Sequence, residues 1–571
     1  MRFLLPLASP IVWFILAGLA ACAPSPAVKP ADPPSVSTAP APPAPPPVAT
    51  ASATLPEAAL HIPHRGTIHV LVVFAQQADD VFRACVDTHL APGAEGRDLS
   101  SEYDRYCAGA PANGRYQSET EDPATEWPAF RVVGGRRVQA LPDWAFRVVA
   151  EPGTDPEDYP RGSASHQFWE MSRGALRVEG RVYPHLVTVR GPIPQGDLRA
   201  ATREILAAMR ERPAGLDYAE FDRYDNLTGR FTPDADGDGR PDGDGVLDML
   251  VVMPRTGGGI AGLGFGGSGR TVDQIDGFTR SGGPEFLGDR RVVAAFPHGS
   301  GVYTAGFTFD RHVSQVVHEV GHHLWGSGHP CDSENAGQRG TGDLVSVMCG
   351  PRMRGMNAPD RIRMGWITPR IVRAPARDSV VTLDPDPWVA DVIRVTLPDG
   401  VERPGDLLIE ARTFASTWDG PSAFADGDRA DTPFMGHEGL LIYQVGPPVT
   451  NPFAAHQRYS SMDNTGLPHR RALTRNVIEA ALHRGEEPPR VGYGPGDAFT
   501  PRSRFAFNFQ RGEADARLAV TDIRVGPAGV SFRLWGDYLT DGPDRAEGPP
   551  PPGSRGASPA GASPGPDLPR R

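Results

Sequence analysis

Lysine is almost missing from this chain. Lys29 is the only one, and every other basic side chain is arginine. Because Lys29 stands in a proline-rich stretch, the folded part has no side-chain amine, which removes Walker-type phosphate loops, kinase lysines and Schiff-base chemistry. Positive charge is also short. Lys and Arg total 57 against 69 Asp and Glu, a net charge of −12, which excludes a nucleic-acid partner that needs a basic face. Cysteine is scarce: Cys22, Cys85, Cys107, Cys331 and Cys349 are the only five, and none is in a CxxC spacing, which argues against a zinc site built from thiolates and for structural disulfides. The one GxSxG, Gly561–Gly565, stands in the Pro/Gly/Ser-rich C-terminal stretch with no strand or helix pattern around it, so serine hydrolase chemistry lacks support. GxGxxG occurs in overlapping registers within Gly257–Gly269, Gly262–Gly267 among them, but polar, broken sequence follows instead of a helix. It reads as a loop, and no nucleotide partner is expected.

Only one long apolar run exists, Phe3–Ala21, directly after Met1-Arg2. No other segment reaches the roughly 18 apolar residues of a membrane span. A positive start, an apolar core and small residues at the end describe an export signal. Its close, Leu19-Ala20-Ala21-Cys22, resembles the bacterial lipobox, which implies lipidation at Cys22; Ala23 after it implies the outer membrane. The alternative is an ordinary signal peptide with a chance cysteine. The expected localisation is therefore the bacterial cell envelope, with the membrane touched through the lipid alone. Residues 23–62 form a Pro/Ala-rich tether, with 11 prolines between Ala23 and Thr50, and residues 538–571 read as a disordered tail. With Cys22 lipidated, four cysteines remain in an oxidising compartment, and nearest-neighbour pairing gives Cys85–Cys107 and Cys331–Cys349.

The body divides by pattern. Thr67–Phe74 is a continuous, β-branched buried strand, Ser165–Met171 a short helix closed by Ser172-Arg173-Gly174, Leu198–Arg210 a second helix and Val246–Met253 another buried strand. Residues 76–160 are polar and irregular, and little can be assigned there. Residues 63–374 read as an α/β domain. Residues 375–537 carry short alternating strands separated by turns, at Val380–Leu383, Val392–Leu397, Leu407–Ala411, Leu440–Val445, Leu518–Val525 and Val530–Trp535, the pattern of an antiparallel β-sandwich.

The chemistry concentrates in one segment. Val313, Val316, Val317, Val320 and Leu324 recur at helical spacing, with Asp310 as the expected N-cap. His318 and His322 are four residues apart, so both imidazoles leave one helix face and can reach one Zn²⁺. Glu319, beside the first ligand, is placed to act as general base on the attacking water. His329, beyond Gly326 and Gly328, is the expected third ligand, with Asp332 competing for that position. His323 falls on another face and is not assigned to the metal. Downstream, Gly342–Gly350 looks like a Met-turn that would set Met348 beneath the metal. A second, weaker signal is the run Asp234–Gly245. Asp234, Asp236, Asp238 and Asp242 have the 1, 3, 5, 9 oxygen spacing of a calcium loop with Gly239 at position 6, while Gly245 takes the place of the closing Glu. Asp244 or Asp248 would have to substitute; the competing reading is a solvated acidic turn.

Taken in order, these pieces resemble the immune-inhibitor-A family of secreted bacterial zinc metallopeptidases, a metzincin-like group. The matching pieces are Ile68–Phe74, Phe168–Gly174, Phe221–Asn226 before the Asp/Gly run, His318–His322, Ser346-Val347-Met348, Arg361–Ile367, Leu408–Arg412 and Glu438–Tyr443, spread over about residues 66–537. The resemblance implies a zincin-type α/β catalytic domain followed by a β-domain, Zn²⁺ as cofactor, and protein or peptide substrates. The extra residue between His318 and His329 departs from the metzincin spacing and leaves the third ligand open. The rival class is a surface-binding or adhesive lipoprotein with a vestigial or structural zinc site.

Overall fold

A computed structural model gives the fold. It describes residues 62–83, 85, 93, 95–110, 126–190, 198–225, 229–255, 265–266, 285–292, 300–304, 306, 308–325, 356–374, 378–384, 392–396, 406–412, 438–449, 475–480, 493–499 and 518–536. The first element, β1 (Gly66–Gln77), is the apolar run expected as a strand, extended at both ends. It leads to α1 (Ala164–Met171), β2 (Leu176–Val182), β3 (Val187–Val189), α2 (Leu198–Glu211), β4 (Met249–Pro254), β5 (Phe265–Gly266), β6 (Ser300–Tyr303) and α3 (Phe309–Trp325). The strands form a mixed sheet in the order β2-β1-β4-β6-β5, with β3 also paired to β1. Every pairing is parallel except β6 with β5.

Both faces of this sheet are covered, which is why β1 reads as unbroken apolar sequence rather than an alternation. Ile68, Val70, Val72 and Phe74 pack with Phe168 and Met171 of α1 and the valines of α3. Leu71, Val73 and Ala75 pack with Ile205, Leu206 and Met209 of α2 on the other side. The turn from α1 into β2 needs two left-handed residues, Arg173 (φ 54°) and Gly174 (φ 76°), and the Gly174 N–H closes the helix on Trp169 O at 2.8 Å. Gly180 in β2 lies opposite Val70, where a Cβ would stand 2.1 Å from the Val70 carbonyl oxygen, so no other residue fits.

The described residues between 76 and 160 are more ordered than their polar sequence implies. A helix at Ser100–Tyr106 and a hairpin of Arg131–Val133 with Arg136–Val138 lie there. Trp127 and Trp144, both fully buried, pack edge-on against Phe74, with ring centroids 5.2 and 5.5 Å away. Elements of three to seven residues held by aromatic packing carry no periodicity to read. Cys85 and Cys107 are joined, with Cα atoms 5.4 Å apart.

Beyond α4 (Ala358–Arg363) come β7 (Arg370–Arg373), β8 (Ser379–Leu383), β9 (Val392–Thr396), β10 (Asp406–Arg412), β11 (Gly439–Val449), β12 (Arg475–Ala480), β13 (Ala519–Gly526) and β14 (Gly529–Trp535). They make two sheets, β7-β9-β10-β11-β12 and β8-β14-β13. One apolar cluster, including Leu383, Ile409, Ile442, Val520 and Phe532, draws on both. Two details differ from the sequence reading. β7 pairs in this sheet ahead of residue 375, and it runs parallel to β9, so the pairing is not antiparallel throughout. All the described residues belong to one unit, 51–571.

Candidate metal centre

α3 is an amphipathic helix with a wholly buried apolar stripe, Val313, Val316, Val317, Val320 and Leu324, seated on the sheet. Its cap is Thr308, not Asp310. The Thr308 Oγ1 accepts the Arg311 N–H at 3.4 Å, and Asp310 falls in the first turn, where its charge still suits the helix dipole. His318 is 4% exposed and Glu319 1%, and His323 is also buried. His322 follows His318 on the same helix, a spacing that puts both on one side; its side chain lies outside the described residues. His329, Asp332, Met348, Cys331, Cys349 and Cys22 also lie outside them. The described residues thus bring together His318, Glu319 and the backbone of His322.

One histidine of α3 carries a role that the motif hides. His312 is fully buried among Phe74, Trp127 and Trp144. Gly306 O, 2.9 Å from Nε2, can only accept, so Nε2 carries the proton, and Nδ1 accepts from the Thr304 hydroxyl at 2.6 Å. Burial pushes its pKa down to about 3, so the ring stays neutral. Its spacing four residues before Val316 puts it on the apolar face, the one sequence signal that could have marked it.

The acidic run forms a second feature. Ligand oxygens of Asp234, Asp236 and Asp242 all lie within 4.8 Å of one another, and all three residues are exposed. The loop is shaped by its own carboxylates: Asp234 accepts the Gly237 and Gly239 N–H groups, and Asp242 accepts that of Ala235. Asp238 is not in the group; its Oδ1 accepts the Arg240 N–H at 2.8 Å. Asp248, a substitute for the missing closing Glu, is fully buried and faces elsewhere, accepting the Arg223 N–H at 2.7 Å. Burial raises its carboxyl well above the ordinary range.

Asp222 holds the end of the loop by accepting the Asp244 and Gly245 N–H groups at 2.8 and 3.0 Å, with Arg290 Nε 2.9 Å away. Burial pushes its carboxyl up to about 6. Gly243 (φ 75°) passes so close that a Cβ would meet Asp222 Oδ1 at 2.0 Å.

No family model matches this chain, and no curated protein matches it either. The residues themselves therefore carry the functional argument.

Proposed function

We propose that this chain is a zinc-dependent endopeptidase acting on proteins or peptides, exported and held at the cell envelope by a lipid on Cys22. The observation that carries the reading is the pairing, on one helix, of His318 with a carboxylate, Glu319, that is 1% exposed. A purely structural zinc site has no use for that carboxylate, whereas hydrolysis needs a base beside the metal. The mixed sheet with a single antiparallel edge strand, β5, and α3 packed on one face support a zincin-type body. The two sheets sharing one core support a β-sandwich behind it.

The donor set fits zinc: two imidazoles one helical turn apart, with His329 or Asp332 completing three protein ligands. When bound, zinc supplies Lewis acidity that polarises the scissile carbonyl and acidifies water. Glu319 takes the proton from the attacking water and returns it to the leaving amine. The buried valine stripe fixes the helix, and so the spacing of His318 from Glu319, before substrate arrives. Tyr443, the first tyrosine after Met348, gives its hydroxyl to Glu410 and is not an oxyanion donor. Asp234, Asp236 and Asp242 are the residues we assign to Ca²⁺.

The deciding measurement is zinc content together with casein cleavage, with and without a chelator, for the wild type and Glu319→Gln. Glu319→Gln should keep its zinc and lose cleavage by about 10² to 10⁴-fold, the usual worth of a positioned base. A zinc-loaded wild type that cleaves nothing, with Glu319→Gln indistinguishable from it, leaves the surface-binding lipoprotein as the better reading.

A further inference from the structure

Glu410 of β10 is a buried carboxylate whose partners lie on both sides of the junction between the α/β body and the second sheet pair. Its Oε2 accepts the Ala358 N–H at 3.2 Å and the Tyr443 hydroxyl at 2.7 Å. Its Oε1 accepts from Arg361 and lies 3.2 Å from Arg412 Nε. Arg412 in turn donates to Met356 O at 3.0 Å. Burial alone would raise this carboxyl, but Arg412 and Arg361, with the hydrogen bonds from Tyr443 and Ala358, hold it below the ordinary carboxylate range. The charged form is therefore the one the fold is built around.

Ala358 and Arg361 of α4 and Met356 just before it take one side of this network, while Tyr443 of β11 and Arg412 of β10 take the other. α4 is capped by Asn357, whose side chain accepts the Asp360 N–H. Just past its other end, Arg65 donates to Gly365 O, and Trp366 Nε1 donates to His64 O at 2.7 Å, next to the start of β1. Between those two grips, Met356, Met364 and Trp366 belong to the same apolar cluster as Val313, Val316, Val317, Val320 and Leu324 of α3. α4 is thus anchored to β10, and the residues that flank it, Met356, Met364 and Trp366, belong to the cluster that seats the helix of His318 and Glu319. Met356 is also only eight residues after Met348.

We infer that Glu410 is a positioning residue: by fixing α4 against the core of α3, it makes the second body a brace for the metal helix. The consequence for metal rests on the zinc reading above, while the brace itself does not. Removing the charge leaves the buried Arg361 and Arg412 beside a neutral side chain, so α4 loosens first and the cluster that seats α3 loses its hold on Met356, Met364 and Trp366.

The test uses the full chain and three variants. Glu410→Gln removes the charge, Tyr443→Phe removes one bond to it, and Leu534→Ala opens the second body's core on β14, away from α4. Amide hydrogen exchange across residues 316–324 should speed by about tenfold in Glu410→Gln and move the same way, less, in Tyr443→Phe. Leu534→Ala, compared at matched loss of melting temperature, should leave that exchange unchanged. In zinc-loaded protein, Glu410→Gln should also surrender zinc to a chelator faster and lower kcat with KM retained. Unchanged exchange in α3, or equal loosening in Leu534→Ala, overturns the brace. If Glu410→Gln does not fold, Tyr443→Phe decides by the same comparison. Faster exchange in a protein that never takes up zinc keeps the brace and removes the zinc reading.

Discussion

At the scale of single residues, the buried side chains divide into those that set the site and those that set the conditions under which it exists. His312 is of the second kind. Its ring is neutral in the folded protein, with a pKa of about 3, whereas in the unfolded chain it titrates near 6.5. Between those values the unfolded state binds more protons, so this group's contribution to stability is intact above about pH 6.5 and is lost as pH falls toward 3. Each unit of depression is worth about 1.4 kcal/mol. His69 acts in the same direction, since burial and then Arg223, whose Nη1 donates to Nε2 at 2.8 Å, lower its pKa. Thermal melts from pH 7 down to 4 should therefore show stability falling, and His312→Gln, though weaker at pH 7, should show a shallower fall. An unchanged slope in that variant would clear His312 of the acid sensitivity. The third zinc ligand is also a question about single residues. His329→Ala should lower zinc occupancy by removing one of three protein ligands, and full retention of zinc and activity would hand that position to Asp332 or another group.

At the scale of elements, the sequence was most legible where long periodic or apolar runs pack on a large surface. β1, β4, α1, α2 and α3 fall where their patterns put them, and so do all six strands expected after residue 375. It was least legible where short elements depend on distant partners. The hairpin at Arg131–Val138 and the two-residue strands have no period to detect, and Trp127 is held by Phe74 more than fifty residues away in the chain. Capping failed for a related reason: Thr308 and Asp310 are both good cap residues, and the choice between them rests on one hydrogen bond. The acidic loop shows both outcomes together. Its spacing brought Asp234, Asp236 and Asp242 together but not Asp238, because the local N–H of Arg240 turns that side chain aside. Three close carboxylates repel unless a cation neutralises them, so calcium at about 100 times its dissociation constant should add roughly 2.7 kcal/mol. Gly243→Ala, which forces a Cβ into Asp222, should abolish the calcium-dependent rise in melting temperature. A melting temperature flat across a calcium titration of the wild type would remove the site.

At the scale of the whole molecule, the remaining question is how much of the chain the working protein keeps. On the proposed reading as an exported protease, residues 51–160 invite assignment as a removable leader segment, since most of them, 76–160, are polar and irregular in sequence. The packing argues against it. β1 pairs with β2, β3 and β4, so its loss would cut β2 and β3 off from the rest of the sheet. Trp127 and Trp144 fill the space between Phe74 and His312, and the Trp127 carbonyl accepts from the buried Arg255 at 2.6 Å. Truncating one such tryptophan to Ala typically costs about 3–5 kcal/mol, and removing the whole segment would take both together with the strand. The mature chain recovered from membranes should accordingly retain peptides covering β1, Trp127 and Trp144, and should begin at a blocked, lipid-bearing Cys22. Changing Cys22 to Ala should move the protein to the soluble fraction while leaving its melting temperature and zinc content as they were, because Cys22 precedes the start of β1 by 44 residues of sequence. Peptide mapping that found a mature chain starting after residue 160 would break the first half of this argument, and a Cys22→Ala protein that stayed with the membrane would break the second.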